Sequence, residues 1–263
     1  MTCSKGRNSG LRNVFRRAAR QLSCRDWDMT EFPAAKESVF LMQREKTLVC
    51  WSSGKDSALA LLHLLEEGFQ VDSLLVTVTE GFERVSMHGV RRLLLHRQAR
   101  SLGMQICEVP IPPNCSNEEY EARMERVLRN FLDRGVRKVA FGDIFLEDMR
   151  AYRERNLAKL SMQAIFPLWG RSTEDLARTF VSLGFRAVVT CVDTQALDGR
   201  FCGREFDLSF LEELPQGIDP CGENGEFHTF VYAGPIFAHP VRFRLGRKVL
   251  REGRFLFCDL IPA

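Results

Sequence analysis

Near residue 50 an apolar strand turns abruptly into a small polar loop and then into a helix, and this arrangement limits the folds open to the chain. Leu48–Trp51 is strand-like, the next residues read Ser-Ser-Gly-Lys-Asp-Ser, and Ala58–Leu65 is an almost wholly apolar helix. The backbone N–H groups of such a turn and the positive end of the helix dipole converge on one point. The segment therefore predicts an anion-binding site, and we expect a nucleotide phosphate there.

Side chains of the loop add to this prediction. Lys55 supplies a mobile positive charge, Asp56 a candidate metal contact, and Ser57 a hydroxyl that caps the helix. The predicted phosphate-binding residues are Ser52, Ser53, Gly54, Lys55, Asp56 and Ser57.

The loop differs from two familiar phosphate-binding motifs. A Walker A loop requires Gly-x-x-x-x-Gly-Lys followed by Ser or Thr. Gly54 and Lys55 are present, but Val49 stands at the first glycine position and Asp56 replaces the Ser or Thr. A Rossmann fingerprint needs three spaced glycines, and this segment has one. An ordinary capped helix after a strand stays the alternative for this stretch taken alone.

Strand-like and helix-like segments alternate through the first part of the chain. The predicted strands are Thr47–Trp51, Val71–Thr79, Met104–Pro110 and Lys138–Phe141. The first predicted helix follows the loop and ends at Glu67. Two more are predicted from Gly89 to Leu102 and from Ser116 to Arg134. This alternation predicts a doubly wound parallel α/β sheet with helices on both faces.

Ligands of parallel sheets bind beyond the carboxyl ends of the strands. The loop at Ser52–Ser57 follows the first predicted strand, Thr77 lies near the end of the second, and Gly142-Asp143 follows the fourth. We therefore expect these segments to converge on one site. Asp143 is also a residue type that simply caps a turn after a strand.

The chain changes character near Pro167. A helix is predicted from about Ser172 to Leu183 and a strand over Phe185–Val192, and a glycine- and acid-rich stretch covers Gly217–Glu226. Pro240–Leu260 alternates as a β-hairpin or meander does. We predict a basic leader over 1–45, a nucleotide-binding domain over 46–166, and a smaller mixed α+β acceptor domain over 167–263.

Composition narrows the function classes. Residues 1–25 carry seven basic side chains and no acid. Because the whole chain has a net charge of only +3, the remaining residues together are net acidic. An acidic body argues against a broad nucleic-acid surface. The leader has three readings: a mitochondrial transit peptide, a basic arm, or sequence upstream of a later start such as Met29 or Met42.

The nine cysteines contain no Cys-x-x-Cys pair, and no apolar run is long enough to span a bilayer. A reduced, cytoplasmic protein without a membrane segment is therefore expected, with a mitochondrial location as the alternative if the leader is a transit peptide. The sequence makes no prediction of oligomeric state.

Several motifs in order carry a resemblance to a known family. The loop is similar to the Ser-Gly-Gly-x-Asp-Ser loop of the PP-loop ATP pyrophosphatases. The later segments are Phe141–Ile144, Arg150–Arg155, Pro167–Trp169, Cys202–Arg204 and Gly222–Val231. Over roughly residues 46–237, this series resembles the diphthine–ammonia ligases and their relatives described as adenine nucleotide α-hydrolases.

The chain departs from the family pattern at two positions. Ser53 and Asn224 both stand where glycine is commoner. Glycine is used where φ is positive or where a ligand crowds the backbone, and a side chain there costs about 1 kcal/mol.

The resemblance implies a HUP-like α/β fold and an ATP-dependent ligase that releases AMP and pyrophosphate. It implies that an acceptor carboxylate, on a small molecule or a protein, is adenylated and then amidated by ammonia or an amine. Main-chain groups near Thr77 and Gly142 would bind adenine nucleotide, and Asp56 and Asp143 would hold Mg²⁺. The implied catalytic residues are Lys55, Asp56, Asp143, Glu223, Glu226 and His228.

These roles have plain structural alternatives. Glu223 and Glu226 are also compatible with solvated loop charges, and His228 or His88 with ordinary polar packing. The arginines at 150, 153 and 155 fit a solvated ion-pair face as well as a phosphate contact. Cys221 is expected to be a loop or core cysteine rather than a nucleophile.

Two other functions remain alternatives. A tRNA-modifying PP-loop enzyme would need a catalytic cysteine pair or a basic surface, and neither is evident after the leader. A nucleotide-binding protein without catalysis would retain the loop, with Ser53 and Asn224 as its signs of divergence.

Overall fold

A computed structural model describes residues 46–263 of the chain. The predictions for the basic leader and its processing lie outside this part of the chain. The residues from Gln43 onward group into one compact unit that contains two β-sheets. Across the described residues, no helix is both long and apolar enough to cross a bilayer.

The first sheet has six strands and is mainly parallel. Its strands are β1 Lys46–Cys50, β2 Gln70–Thr79, β3 Arg84–Val85, β4 Ile106–Ile111, β5 Lys138–Ala140 and β6 Gln163–Ile165. The parallel strands lie in the order β4-β2-β1-β5-β6, and β3 pairs antiparallel with the end of β2. The strand order reverses between β1 and β5, which places a ligand crevice at their carboxyl ends.

Helices cover both faces of this sheet. They are α1 Lys55–Glu66, α2 Arg92–Leu102, α3 Asn117–Asp133 and α4 Glu147–Ala158. Buried side chains of α1 and α2 pack with those of one sheet face, and buried side chains of α3 and α4 pack with the other. The predicted doubly wound α/β fold is therefore confirmed.

Some predicted boundaries differ from the structure. Helix α2 begins at Arg92 rather than Gly89, because Gly89 has a φ of +65° and lies in the preceding turn. Strands β3 and β6 are two and three residues long, too short to show a hydrophobic period in the sequence. Helix α3 begins as expected, because the Ser116 side chain accepts a hydrogen bond from the Glu119 N–H.

The second sheet is antiparallel. Its strands are β7 Arg186–Asp193, β8 Phe227–Ala233, β9 Phe243–Arg251 and β10 Phe255–Pro262, in the order β8-β7-β10-β9. Helices α5 Thr173–Ser182 and α6 Leu208–Glu213 accompany it. The predicted C-terminal hairpin is confirmed as β9–β10.

The two sheets share one hydrophobic core. Val49 and Leu59 of the first part belong to the same buried cluster as Val189 and Phe230 of the second. Buried Gln98 of α2 also joins the parts, because its amide nitrogen donates to the carbonyl oxygens of Ser53 at 3.1 Å and Val231 at 2.5 Å. This packing holds β8 against the loop that follows β1.

Candidate active site

The loop after β1 adopts a strained conformation at Ser53. This residue has a φ of +70°, in the left-handed region, and it is fully buried. Its carbonyl oxygen accepts hydrogen bonds from the Val231 N–H at 3.0 Å and from Gln98 at 3.1 Å. The sequence expectation that a glycine would suit this position is thus consistent with its backbone, and contacts from β8 and α2 hold the strained form.

Two glycines allow segments to approach closely around the loop. A Cβ atom on Gly54 would lie 3.2 Å from the Thr229 carbonyl oxygen, and one on Gly142 would lie 3.0 Å from the Asp56 carbonyl carbon. The end of β5 therefore lies directly against the first turn of α1. The sequence predicted this approach of the Gly142-Asp143 segment to the loop after β1.

The serines of the loop bond to each other and to the backbone. The hydroxyls of Ser52 and Ser57 are 3.2 Å apart, and the Ser57 hydroxyl donates to the Gly54 carbonyl oxygen at 2.9 Å. The prediction that Ser57 caps the helix is wrong. The N-cap is Gly54 without a side-chain cap, since Ser57 is the third helical residue and its hydroxyl turns back toward the loop.

Lys55 is fixed rather than mobile, which corrects the sequence expectation. Its side chain is only 3% exposed, and its ammonium donates to Asp56 at 2.9 Å and to the Cys221 carbonyl oxygen. Its backbone N–H donates to the Thr229 hydroxyl at 3.1 Å. Burial opposes the charged form, but attraction to Asp56 and its other neighbours outweighs this and raises the pKa of Lys55.

Asp56 is only partly satisfied. One carboxylate oxygen accepts from Lys55, while Oδ1 is buried and has no hydrogen-bond partner in the described part of the chain. Burial raises the pKa of Asp56 despite the opposing effect of Lys55. A further cation at Oδ1 would relieve this imbalance.

Asp143 is already paired. Its Oδ1 accepts from the Arg153 guanidinium at 3.0 Å, and its Oδ2 lies 2.7 Å from Arg153 Nε. The guanidinium carbon is also 4.4 Å from the centre of the Phe141 ring. The predicted arginine face is therefore divided: Arg153 serves the site, Arg150 lies over Trp169 and pairs with Glu154, and Arg155 is exposed.

Glu223 belongs to the same site. Its Oε1 accepts a hydrogen bond from the Ile144 N–H at 2.7 Å, which ties the C-terminal part to the end of β5. Burial raises its pKa to about 7, opposed by the Ile144 hydrogen bond and reinforced by the charges of Asp56 and Asp143. At neutral pH this carboxyl group is able both to donate and to accept a proton.

Glu226 has a different position from Glu223. Its side chain is 5% exposed, and its Oε1 accepts from the Asp219 N–H and from the Asn224 amide, both at 3.1 Å. Asn224 thus helps to order the loop that carries Glu223. Glu226 is not among the residues that line the site cavity.

Two histidines meet at the site. The rings of His88 and His228 are 4.5 Å apart in an edge-to-face arrangement. Burial, aided by the charge of Lys55, lowers the pKa of His228 to about 4. Burial also lowers the pKa of His88 well below its ordinary value, aided by His228 and Lys55. Both rings are therefore neutral at pH 7. The sequence carries no signal that His88 and His228 are neighbours, because only the fold brings the two rings together.

These residues surround a single cavity of about 510 Å³. Most of the predicted site residues line it: Ser52, Lys55, Asp56, Ser57, Thr77, Gly142, Asp143, Glu223 and His228. The other predicted residues, Ser53, Gly54 and Glu226, do not line the cavity and lie behind its wall. Apolar side chains, among them Trp51, Leu146 and Met149, line the rest of the wall. The cavity thus combines a phosphate-type loop with an apolar surface suited to a planar ring.

The carboxylates fit one metal ion only in part. No cluster of three or more His, Cys, Asp or Glu side chains able to hold a metal occurs within residues 46–263. Asp56 Oδ1 is the unpaired acceptor, whereas Arg153 already neutralises Asp143. This set fits Mg²⁺ bound chiefly through phosphate oxygens and water, with Asp56 as the main protein ligand.

The fold and the site define an α/β protein with a polar loop and a large cavity at the switch point of its parallel sheet. The family model for the diphthamide synthase N-terminal domain matches residues 45–164, and that for the diphthamide synthase C-terminal domain matches residues 172–257. The chain belongs to the diphthine–ammonia ligase family.

Its curated relatives carry the same name. Diphthine–ammonia ligases from Bos taurus and Homo sapiens are each 25% identical over 209 residues, which cover 71% of this chain and 78% of theirs. The Danio rerio protein of that name is 31% identical over 105 residues, or 38% of this chain and 41% of its own. These similarities support a ligase.

Proposed function

We propose that the protein is an ATP-dependent ligase that forms AMP and pyrophosphate, adenylates an acceptor carboxylate and amidates it with ammonia or an amine. One observation carries the proposal: four side chains of the loop after β1 line the same cavity as Glu223, whose pKa is raised to about 7. The four are those of Ser52, Lys55, Asp56 and Ser57. The family relationship supports ligation as the reaction class.

The loop and helix α1 supply the phosphate site. The first-turn N–H groups and the helix dipole favour the pyrophosphate end of ATP, and the hydroxyls of Ser52 and Ser57 add hydrogen bonds. Lys55 contributes a fixed positive charge at the base of the site. Mg²⁺, when bound, would neutralise phosphate charge, and Asp56 Oδ1 is the acceptor placed to hold it.

Ligation requires two displacements. In the first, an acceptor carboxylate oxygen bonds to the α-phosphorus and pyrophosphate leaves. In the second, the amine nitrogen bonds to the acyl carbon, AMP leaves, and the nitrogen loses a proton. Glu223 has a pKa suited to accept that proton at neutral pH, and neutral His228 can orient the amine by a hydrogen bond.

The products of ATP test the proposal. Purified protein is incubated with ATP, Mg²⁺, ammonium and a panel of carboxylates that includes diphthine-bearing elongation factor 2. We expect AMP and pyrophosphate in equal amounts, dependent on an acceptor. Release of ADP and phosphate would contradict the proposal, and ATP binding without AMP across the panel would indicate a nucleotide-binding protein instead.

Matched variants separate the loop from its surroundings. Asp56→Asn removes the negative charge proposed to hold Mg²⁺ but keeps the shape of the side chain. We expect AMP formation to fall by about a hundredfold or more. Glu66→Gln, at the far end of the same helix, is the control and should leave turnover unchanged. Equal activity of the two variants would remove Asp56 from the mechanism.

A further inference from the structure

Two buried thiols meet in the antiparallel half of the molecule, away from the nucleotide cavity. Cys202 follows the 3₁₀ helix Gly199–Phe201, and Cys258 lies on β10. Their side chains are hydrogen-bonded to each other, and Cys202 Sγ also lies 3.2 Å from the Leu256 carbonyl oxygen. Every cysteine in the described part of the chain is a free thiol. The pair is therefore a reduced dithiol.

Gly203 allows the two cysteines to approach each other. It has a φ of +81°, and a Cβ atom there would lie 3.2 Å from Cys258 Sγ and 3.8 Å from Cys258 Cβ. Two backbone hydrogen bonds fix the turn on β7: the Gly203 N–H donates to the Val189 carbonyl oxygen at 2.8 Å, and the Val189 N–H donates to the Arg204 carbonyl oxygen at 2.9 Å. The backbone thus holds Cys202 beside β10.

The surroundings favour a thiolate on Cys258 and a thiol on Cys202. The hydrogen bond from Cys202, with the attraction of Lys248, lowers the pKa of Cys258. Burial and the charge of Asp259 oppose this effect without cancelling it. Lys248 lies directly opposite Cys258 on β9. The same hydrogen bond, together with burial, raises the pKa of Cys202, so Cys258 is the better nucleophile of the two.

A cavity of about 490 Å³ leads to Cys258. Its wall is built from the segment between β2 and α2 and from strands β7, β9 and β10. Cys258 lines this cavity and Cys202 does not, so a small oxidant reaches Cys258 first. Cys191 also lines the cavity, but burial raises its pKa to about 12 and keeps it a thiol.

We propose that Cys202 and Cys258 form a redox-modification site, in which a hydroperoxide converts the two thiols to an intramolecular disulfide and a dithiol reductant restores them. The disulfide links β10 to the turn that β7 holds. The site rests on the contact between the two thiols and their access from the cavity, and it is independent of the proposed ligase function.

Oxidation takes two displacements. The Cys258 thiolate attacks one oxygen of hydrogen peroxide: an S–O bond forms, the O–O bond breaks, and hydroxide leaves and takes up a proton to become water. The Cys202 sulfur then attacks the Cys258 sulfur: the S–S bond forms, the S–O bond breaks, and hydroxide leaves with the Cys202 proton as a second water. Each sulfur loses one electron, and the peroxide gains both.

Peptide mapping of the full chain tests the proposal. The reduced, folded protein is treated with hydrogen peroxide, its remaining thiols are blocked with iodoacetamide, and it is digested with trypsin without reduction. Trypsin releases residues 201–204 and 255–263, each with a single cysteine. We expect these two peptides to be joined, the number of free thiols to fall by two, and dithiothreitol to reverse both changes.

Variants separate the roles of the two thiols. Cys202→Ala should stop the reaction at the sulfenic acid of Cys258, which dimedone traps, and Cys258→Ala should give no cross-link and no adduct on Cys202. Cys191→Ala is the matched control, because it removes the third thiol of this region, and it should form the same joined peptide.

The unchanged chain decides whether the cross-link forms, whatever the stability of the variants. The joined peptide must come from protein that migrates as a single chain on a non-reducing denaturing gel. Absence of the joined peptide, a bond from Cys258 to a different cysteine, or a joined peptide found only in cross-linked dimers would overturn the proposed redox-modification site. Loss of the joined peptide in Cys191→Ala would also overturn it, because the disulfide would then depend on a third thiol.

Discussion

Glu223 is the residue whose chemistry depends most on its surroundings. Its raised pKa, about 7 against an ordinary value of 4.5, means that folding penalises the ionised form. The contribution of Glu223 to stability should therefore be most favourable below its unfolded-state pKa and should fall as pH rises from about 4.5 to 7. Glu223→Gln keeps the acceptor for the Ile144 N–H and removes the charge.

We expect Glu223→Gln to raise the free energy of unfolding at pH 8 by about 1–2 kcal/mol and to change it little at pH 4, after allowance for the partial exposure of the group. Urea denaturation at both pH values measures this. An equal effect at the two pH values would contradict the raised pKa.

The same residue predicts a pH profile for the reaction. If Glu223 accepts the proton, turnover should fall as pH drops below about 7 and the carboxylate becomes protonated. Hydroxylamine is the suitable nucleophile, because it is uncharged near neutral pH, whereas ammonia is mostly ammonium. Glu223→Gln should abolish the rise of rate with pH; retention of the same profile would assign the titration to another group.

Ser53 lowers the stability of the loop in two ways. It combines a φ of +70° with a buried hydroxyl that lacks a partner within residues 46–263. Ser53→Gly relieves both, and the gain exceeds the added entropy of an unfolded glycine, so we expect stabilisation of about 1 kcal/mol. Ser53→Ala removes only the hydroxyl and should gain less. Thermal unfolding of the pair measures the difference, and a less stable glycine variant would argue against strain.

At the scale of elements, the contact between β5 and α1 sets the shape of the phosphate site. A Cβ on Gly142 would meet backbone atoms of Asp56 and Ser57 at 3.0–3.2 Å, and backbone cannot rotate away. We expect Gly142→Ala to lower stability by about 1–3 kcal/mol and to weaken ATP binding, as calorimetry would measure.

Gly103→Ala is the matched control for this contact. Gly103 ends α2 at a φ of +66° with open space around it, so alanine there should cost about 1 kcal/mol of stability and leave ATP affinity unchanged. Equal loss of ATP affinity in both variants would mean that general destabilisation, not the β5–α1 contact, is responsible.

The sequence predicted elements well where they were long and periodic. The strands around β1, β2 and β4, helix α3 and the final hairpin all follow from hydrophobic spacing and turn residues. The N-terminus of α1 was predicted wrongly. Ser57 is a residue type that caps helices, but Gly54 occupies the N-cap position. Local chemistry allowed both arrangements, and packing against β8 selected one.

At the scale of the whole molecule, the two sheets depend on each other. Gln98 is fully buried; its amide nitrogen donates to Ser53 and Val231, and its oxygen accepts from the Trp51 indole at 3.1 Å. We expect urea unfolding in a single transition, although the sequence divides the chain near residue 166. Fluorescence of Trp51 and of Trp169, with the other tryptophans replaced by Phe, should report the same midpoint; two midpoints would show independent domains.

Long-range contacts explain what sequence analysis missed. His88 and His228 are far apart in the chain and meet only because β8 packs beside the loop before α2. The sequence suggested the same catalytic role for Glu223 and Glu226. In the structure Glu223 lines the cavity, whereas Glu226 accepts hydrogen bonds that order the loop behind it. Neither distinction has a signal in local spacing.

The proposed ligase reaction begins when an acceptor carboxylate oxygen attacks the α-phosphorus of ATP in this site. The most direct measurement uses the carboxylate that supports turnover, labelled with ¹⁸O in both carboxylate oxygens, and mass spectrometry of the nucleotide product. We expect the AMP to gain one labelled oxygen while the amide keeps the other. Unlabelled AMP, or label appearing in inorganic phosphate beside ADP, would contradict it.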